Sequence, residues 1–230
     1  MSRRPSRSAV IPFLILLAAV AIWALDVYRG VAPAAPKSGS SSSEKPPATS
    51  DKPTTPSGRY EVFQGCTLAN DKGNDGDSFR VKLPGGRTEI IRLYFVDSPE
   101  SAFKSYGGGQ NNHKRIAQQA ADMGGITSQQ AVEIGKQAKA FTLGILGKAP
   151  FTLHTEWDDP FGDSRYHAFV EVAYDGKTRF LDELLVEKGL ARIHTKGAPL
   201  PDGTTERKQE DRLLDLQRAS KSKKAGAWGL

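Results

Sequence analysis

Asp77, Arg92, Asp97 and Glu100 have the types and spacing to do chemistry together. Asp77 lies in Asp75-Gly76-Asp77-Ser78-Phe79-Arg80-Val81. A Pro84-Gly85-Gly86 turn follows, and then Ile90-Ile91-Arg92-Leu93-Tyr94-Phe95-Val96-Asp97-Ser98-Pro99-Glu100. Side chains of a strand alternate between faces, so Asp77 shares a face with Phe79, Val81 and Leu83. It faces the core side at the rim. The second strand runs back antiparallel and delivers Asp97 to the same end. Arg92 lies among apolar neighbours, where a lone guanidinium is costly without a partner or a substrate. Two carboxylates, a third at Glu100 and an Arg on one rim are the layout of a hard-cation site beside a phosphate clamp.

The elements that must hold this rim follow from the rest of the chain. Strands are expected at Tyr60 to Ala69, Ser78 to Leu83, Thr88 to Asp97, Phe151 to Trp157 and Tyr166 to Tyr174. Helical spacing marks Asn112 to Met123 and Ser128 to Gly147, with Ala131, Ile134, Ala138, Phe141 and Ile145 on one face. Further helices are expected over Leu181 to Lys188, stopped by Gly189, and over Thr204 to Lys223, with Trp228 covering the core. The expected fold class is mainly β with α: a five-stranded Greek-key barrel of the OB type with about three helices.

The ends have a different character. Arg3, Arg4 and Arg7 precede an apolar run from Ala9 to Leu25, broken only by Pro12. Residues 1–29 are read as a signal anchor or transmembrane segment, with the basic end inside and the remainder exported. If the segment is cleaved, the protein is secreted. Residues 30–58 are rich in Ser, Pro, Thr and Lys and are read as a disordered linker. Residues 59–230 form the expected catalytic domain, read as a monomer, with an insertion at about 105–130. The net charge of +6 favours polyanionic partners, and the single cysteine, Cys66, excludes internal disulfides and thiolate metal clusters. The four histidines lack metal-ligand spacing and are read as packing or surface residues.

Asp-Gly-Asp-Ser, Arg-Leu-Tyr-Phe-Val-Asp-Ser-Pro-Glu and the later Arg165 carry a resemblance to the thermonuclease, or staphylococcal nuclease-like, family. It runs from about Tyr60 to Trp228 and includes Leu181 to Val186, Gly189-Leu190-Ala191 and Gly226-Ala227-Trp228. The resemblance implies an OB barrel and Ca²⁺-dependent hydrolysis of DNA or RNA. It places Asp77, Asp97 and the Ser98 backbone carbonyl on the metal, Glu100 on the attacking water, and Arg92 and Arg165 on the phosphate. Asp75 is left as a supporting or turn residue. The rival expectation is a catalytically silent OB module that binds nucleic acid or peptide. Four features depart from the family pattern. Asp163-Ser164-Arg165 stands where Tyr-Gly-Arg is usual, and Arg192 to Gly197 lacks the tyrosines found beside the base. Ser98 replaces the commoner Thr, and the insertion is long.

Overall fold

The computed structural model describes residues 55–230. The anchor assigned to 1–29, and all but the end of the linker assigned to 30–58, lie outside the described residues. The strands are β1 (Thr55–Ser57), β2 (Tyr60–Leu68), β3 (Ser78–Lys82), β4 (Thr88–Leu93), β5 (Val96–Asp97), β6 (Phe151–Thr155), β7 (Tyr166–Tyr174), β8 (Lys177–Phe180) and β9 (Arg192–Ile193). The α-helices are α1 (His113–Asp122), α2 (Ser128–Leu146), α3 (Leu181–Glu187) and α4 (Glu206–Ser222).

Five strands close on themselves. β2 pairs with β3, β3 with β4, β4 with β7, β7 with β6, and β6 again with β2. Only the β4–β7 pairing among these is parallel. Closure removes free edges from the barrel, and its inward-facing residues fill the interior. Phe63, Phe79, Val81, Ile91, Leu93, Leu153 and Phe169 are buried there. The expected five-stranded barrel of mixed α+β class is therefore present. The described residues hold four α-helices, and α1 is the one the insertion adds.

Two strand boundaries differ from the expectation. Thr55–Ser57 pairs with β2 although the reading placed it in the linker. Backbone pairing needs no apolar pattern, so composition does not reveal it. The third expected strand, Thr88 to Asp97, stops at Leu93. Phe95 takes a left-handed φ of 64°, costly for a bulky residue. The turn is held where Phe95 N donates to the Lys196 carbonyl and His194 N donates to the Phe95 carbonyl. Val96 and Asp97 then leave the barrel and pair with β9, which sets Asp97 opposite Arg192.

Helix α2 begins with a reciprocal cap. Thr127 Oγ1 accepts from Gln130 N, and the Gln130 side chain accepts from Thr127 N. Its buried face presents Ala131, Ile134, Ala138 and Leu146. Helix α1 buries Ile116 and Ala120 against Ala131 and Val132 of α2, a small apolar cluster of its own. The insertion is thus docked on the domain.

One core feature sets a pH dependence away from the rim. Asp182 and Glu183 on α3 are both 1% exposed. Glu183 faces Arg212 at 3.1 Å and Arg179 at 3.8 Å. Among the described residues, Asp182 has no cation beside it; Gln209 approaches its Oδ2 at 3.5 Å, and its Oδ1 has no side-chain partner. Burial, aided by the adjacent Glu183, pushes the Asp182 carboxyl up to about 7. Between the ordinary carboxylate range and pH 7, the folded state holds a proton that the unfolded chain has released. Stability from this group is full in acid and falls as pH rises through 7. Asp182→Asn removes the titration. Its stability advantage over wild type should widen by roughly 2–3 kcal/mol from pH 5 to pH 8, read by denaturant unfolding. Parallel stability curves would show that Asp182 ionises freely.

Candidate phosphate and cation site

The site is assembled where four chain segments meet at one end of the barrel. Ser78 pairs with Arg92 across the β3–β4 ladder, and Leu93 N donates to the Asp77 carbonyl at 2.9 Å. The Asp75–Asp77 loop and the Ser98–Glu100 loop both lie tightly on α2. A Cβ on Gly76 would come within 2.8 Å of Ala138 Cβ and of Ser98 Oγ. One on Gly135 would come within 2.5 Å of the Pro99 and Glu100 carbonyl oxygens. Only glycine allows such approaches. Thr142 Oγ1 also donates to the Gly76 carbonyl at 2.7 Å.

Asp77, Arg92, Asp97 and Ser98 are brought together, although Asp97 and Ser98 arrive through the turn at Phe95 and not along the Arg92 strand. Arg92 is 6% exposed. Its Nη2 lies 2.8 Å from Asp97 Oδ1 and 3.3 Å from Asp77 Oδ2. Its Nε is buried with no hydrogen-bond partner, so one donor of the fork is unclaimed. Ser98 N donates to Asp77 Oδ2 at 3.1 Å. Asp75 accepts from Gly76 N and from Ser101 Oγ, which fits the supporting role read from the sequence.

Three partners of Asp97 were not foreseen. Arg115 Nη2 donates to Asp97 Oδ1 at 2.6 Å, and Gln119 Nε2 donates to Oδ2 at 2.9 Å. Arg192 Nε donates to the same Oδ2 at 2.9 Å. Burial alone would raise the Asp97 carboxyl. The guanidiniums of Arg115, Arg192 and Arg92, with the Gln119 amide, outweigh it and hold the group below the usual range. Asp77 lacks such a set, and burial pushes its carboxyl up.

The insertion also holds Glu100. Arg115 Nε donates to Glu100 Oε1 at 3.0 Å, and Asn112 Nδ2 donates to Oε2 at 3.4 Å. Gln119 Oε1 accepts from Glu100 N at 3.0 Å, and its Nε2 also donates to the Ser98 carbonyl. Arg115 and Gln119 stand four residues apart, on one face of α1. That spacing beside the buried Ile116 and Ala120 is the sequence signal by which they could have been found.

Arg165 reaches the same place by another route. A pocket of about 380 Å³ is lined by Arg92, Asp97, Arg115, Phe161, Arg165, His194 and Thr195. The Arg165 guanidinium is turned to its neighbour Asp163, with Nε 2.9 Å from Oδ2. Three guanidiniums around one opening suit the oxygens of a phosphodiester. Phe161, 59% exposed, is the large apolar group at its mouth. His167 packs against Tyr94 at 5.3 Å, and burial pushes it down to about 4.

Asp77, Asp97 and the Ser98 carbonyl supply hard oxygen donors, and in kind they fit Ca²⁺. Their present bonds stand against it. Asp97 has all its partners as protein donors, and the Ser98 carbonyl accepts from Gln119. Among the described residues, no three His, Cys, Asp or Glu side chains form a group able to hold a metal ion. Arg92 and Arg192 side chains are 7% and 5% exposed, whereas that of Arg115 is 45% exposed. Arg115 is the most exposed of the three guanidiniums on Asp97.

A family model described as staphylococcal nuclease homologue matches residues 90–229. Arg92, Asp97, Ser98, Glu100 and Arg165 lie within the matched stretch, and Asp77 lies ahead of it. Comparison with curated proteins found no match.

Proposed function

Because the chain belongs to the staphylococcal nuclease homologue family, we propose that it is a Ca²⁺-dependent nuclease that hydrolyses phosphodiester bonds of DNA or RNA outside the cytoplasm. The observation that carries this reading is the pocket in which Arg92, Arg115 and Arg165 surround one opening, with Asp97 on its wall. Arg92 and Arg165 hold the phosphate oxygens by their forks. The Arg92 guanidinium lines the pocket, and its Nε, though buried, has no protein partner. Asp77, Asp97 and the Ser98 carbonyl would hold Ca²⁺. When bound, the ion supplies positive charge against the oxygens of the five-coordinate phosphorus. Glu100 takes a proton from the attacking water as the new P–O bond forms, and the sugar oxygen leaves with its electron pair. The Arg115 guanidinium on Oε1 favours the ionised carboxylate and makes Glu100 a weaker base, so its departure would strengthen Glu100 for this step.

The apolar run after Arg3, Arg4 and Arg7 supports a membrane anchor, with residues 30–58 as tether and the catalytic domain outside as a monomer. Among the described residues, no helix is long and apolar enough to cross a membrane.

The test is cleavage of single-stranded DNA and of RNA by the full-length chain with Ca²⁺, with Mg²⁺ or with chelator. Cleavage should require Ca²⁺, and Mg²⁺ should serve poorly, because it demands a stricter octahedral shell. Equal turnover in chelator removes the metal from the reaction. The same assay on washed membranes and on culture medium separates an anchored protein from a secreted one. A second reading, a silent module that binds nucleic acid, is favoured by the complete protein partnering of Asp97. Binding without cleavage under all conditions would establish it.

A further inference from the structure

Several side chains of the insertion between Glu100 and α2 reach the site or the residues that hold it. Asn112, at the N-cap of α1, is 6% exposed, and its side chain makes no capping bond. Instead it fastens the loop, accepting from Lys104 N at 2.7 Å and donating to the Ala102 carbonyl at 2.9 Å. Gln119, fully buried, ties Asp97, Ser98 and Glu100 to α1. Asp122, at the end of the helix, pairs with Arg192, which itself holds Asp97. With Ile116 and Ala120 in their apolar cluster, the α1 backbone is fixed over the carboxylates. Two exposed cations of the insertion reach the rim: Lys104 stands 3.7 Å from Glu100, and Arg115 makes the closer contacts, to Asp97 and Glu100 together. Its guanidinium spans Asp97 Oδ1 at 2.6 Å and Glu100 Oε1 at 3.0 Å, a cation bridging two carboxylates at the mouth of the pocket.

We propose that Arg115 is a built-in, displaceable cation: it occupies the Asp97–Glu100 carboxylates in the resting protein and competes with a divalent ion for them. The metal and Arg115 are then mutually exclusive at Asp97. When Ca²⁺ arrives, the guanidinium swings into the pocket it already lines, where a substrate phosphate is its natural partner. That phosphate would draw Arg115 off the carboxylates, so substrate and metal bind with mutual help. The displaced side chain also leaves Glu100 with only Asn112 at 3.4 Å and Lys104 at 3.7 Å, both on Oε2, so its Oε1 is cleared as the site loads. The inference rests on the reading of the site as Ca²⁺-binding.

The competition has a signature in metal affinity without substrate. Ca²⁺ is titrated calorimetrically into the full-length wild type, Arg115→Met and Arg115→Gln. Met keeps the aliphatic stem, and Gln keeps a hydrogen-bond donor without charge. Asp97 retains Arg92 and Arg192 in both variants, and thermal melts in chelator confirm folding. Both variants should bind Ca²⁺ about tenfold or more tightly than wild type, the scale of one opposing charge removed at contact distance. Adding a short oligonucleotide should raise Ca²⁺ affinity in wild type more than in either variant. If wild type binds Ca²⁺ and the variants bind it equally or more weakly, Arg115 does not compete, and the Ca²⁺ reading stands without it. If none of the three binds Ca²⁺, both the competition and the Ca²⁺ reading fall.

Discussion

Glu100→Gln is expected to slow cleavage of single-stranded DNA by about 10²–10⁴-fold at saturating Ca²⁺, the usual worth of a general base. The substitution keeps the size and an acceptor oxygen but removes the site for the transferred proton. The backbone holds the position independently of the carboxylate. Pro99 sets its own φ, the Glu100 N–H donates to Gln119, and Gly135 lets α2 touch both carbonyls. The fold should therefore be intact by circular dichroism. Affinity for Ca²⁺ should change little, because two effects oppose. A negative charge near the ion is lost, while Arg115 keeps only its bond to Asp97 and is displaced more readily. Single-turnover rates separate the chemical step from binding. Equal rates for variant and wild type would leave water activation to the metal and return Glu100 to an anchoring role for Arg115.

The rim was legible because strands impose a period of two and hairpins reverse direction. Those rules alone place Asp77, Arg92 and Asp97 at one end, and the structure places them within hydrogen-bond reach of one another. The close of the third strand was not legible. The run Tyr94-Phe95-Val96 has strong strand composition, but tertiary pairing of Asp97 with Arg192 overrides local preference and turns the chain at Phe95. Arg192 was noticed only as standing where aromatic residues would be. Its role depends on β9 meeting β5, and these lie 95 residues apart at Asp97 and Arg192. The insertion was recognised by length and its helix by spacing. Which face of that helix meets the carboxylates is set by how Ile116 and Ala120 pack on Ala131 and Val132, a contact between two helices that no local pattern encodes. Arg165 lines the pocket, and its pairing with Asp163, two residues away, is a local contact that the motif does not contain.

Arg92 is expected to show the largest combined loss, in activity and in stability, and the two can be separated by choice of substitution. One nitrogen of its fork bridges Asp77 and Asp97, and a second is buried without a partner. Asp97 can spare Arg92, because Arg115, Arg192 and Gln119 remain. Asp77 cannot, since its ion pair is with Arg92 and its burial already disfavours charge. Arg92→Met leaves that carboxylate unpaired in the interior, a defect that costs roughly 3–5 kcal/mol when the charge is retained. Protonation of Asp77 relieves part of it, so the loss should be smaller in acid than at pH 8. Arg92→Lys restores a charge near Asp77 and should recover much of the stability. It cannot restore the fork, since one ammonium on a flexible stem does not reproduce a planar pair of donors. Its kcat/KM should remain about 10²–10³-fold below wild type, the cost of losing one preorganised donor to a developing phosphate charge. The contrast between the two variants is the informative quantity. If Lys recovered activity as fully as stability, Arg92 would serve only to neutralise Asp77 and Asp97, and the phosphate would be held by Arg165 and Arg115. If Lys recovers stability alone, the planar fork serves the substrate and not only the two carboxylates.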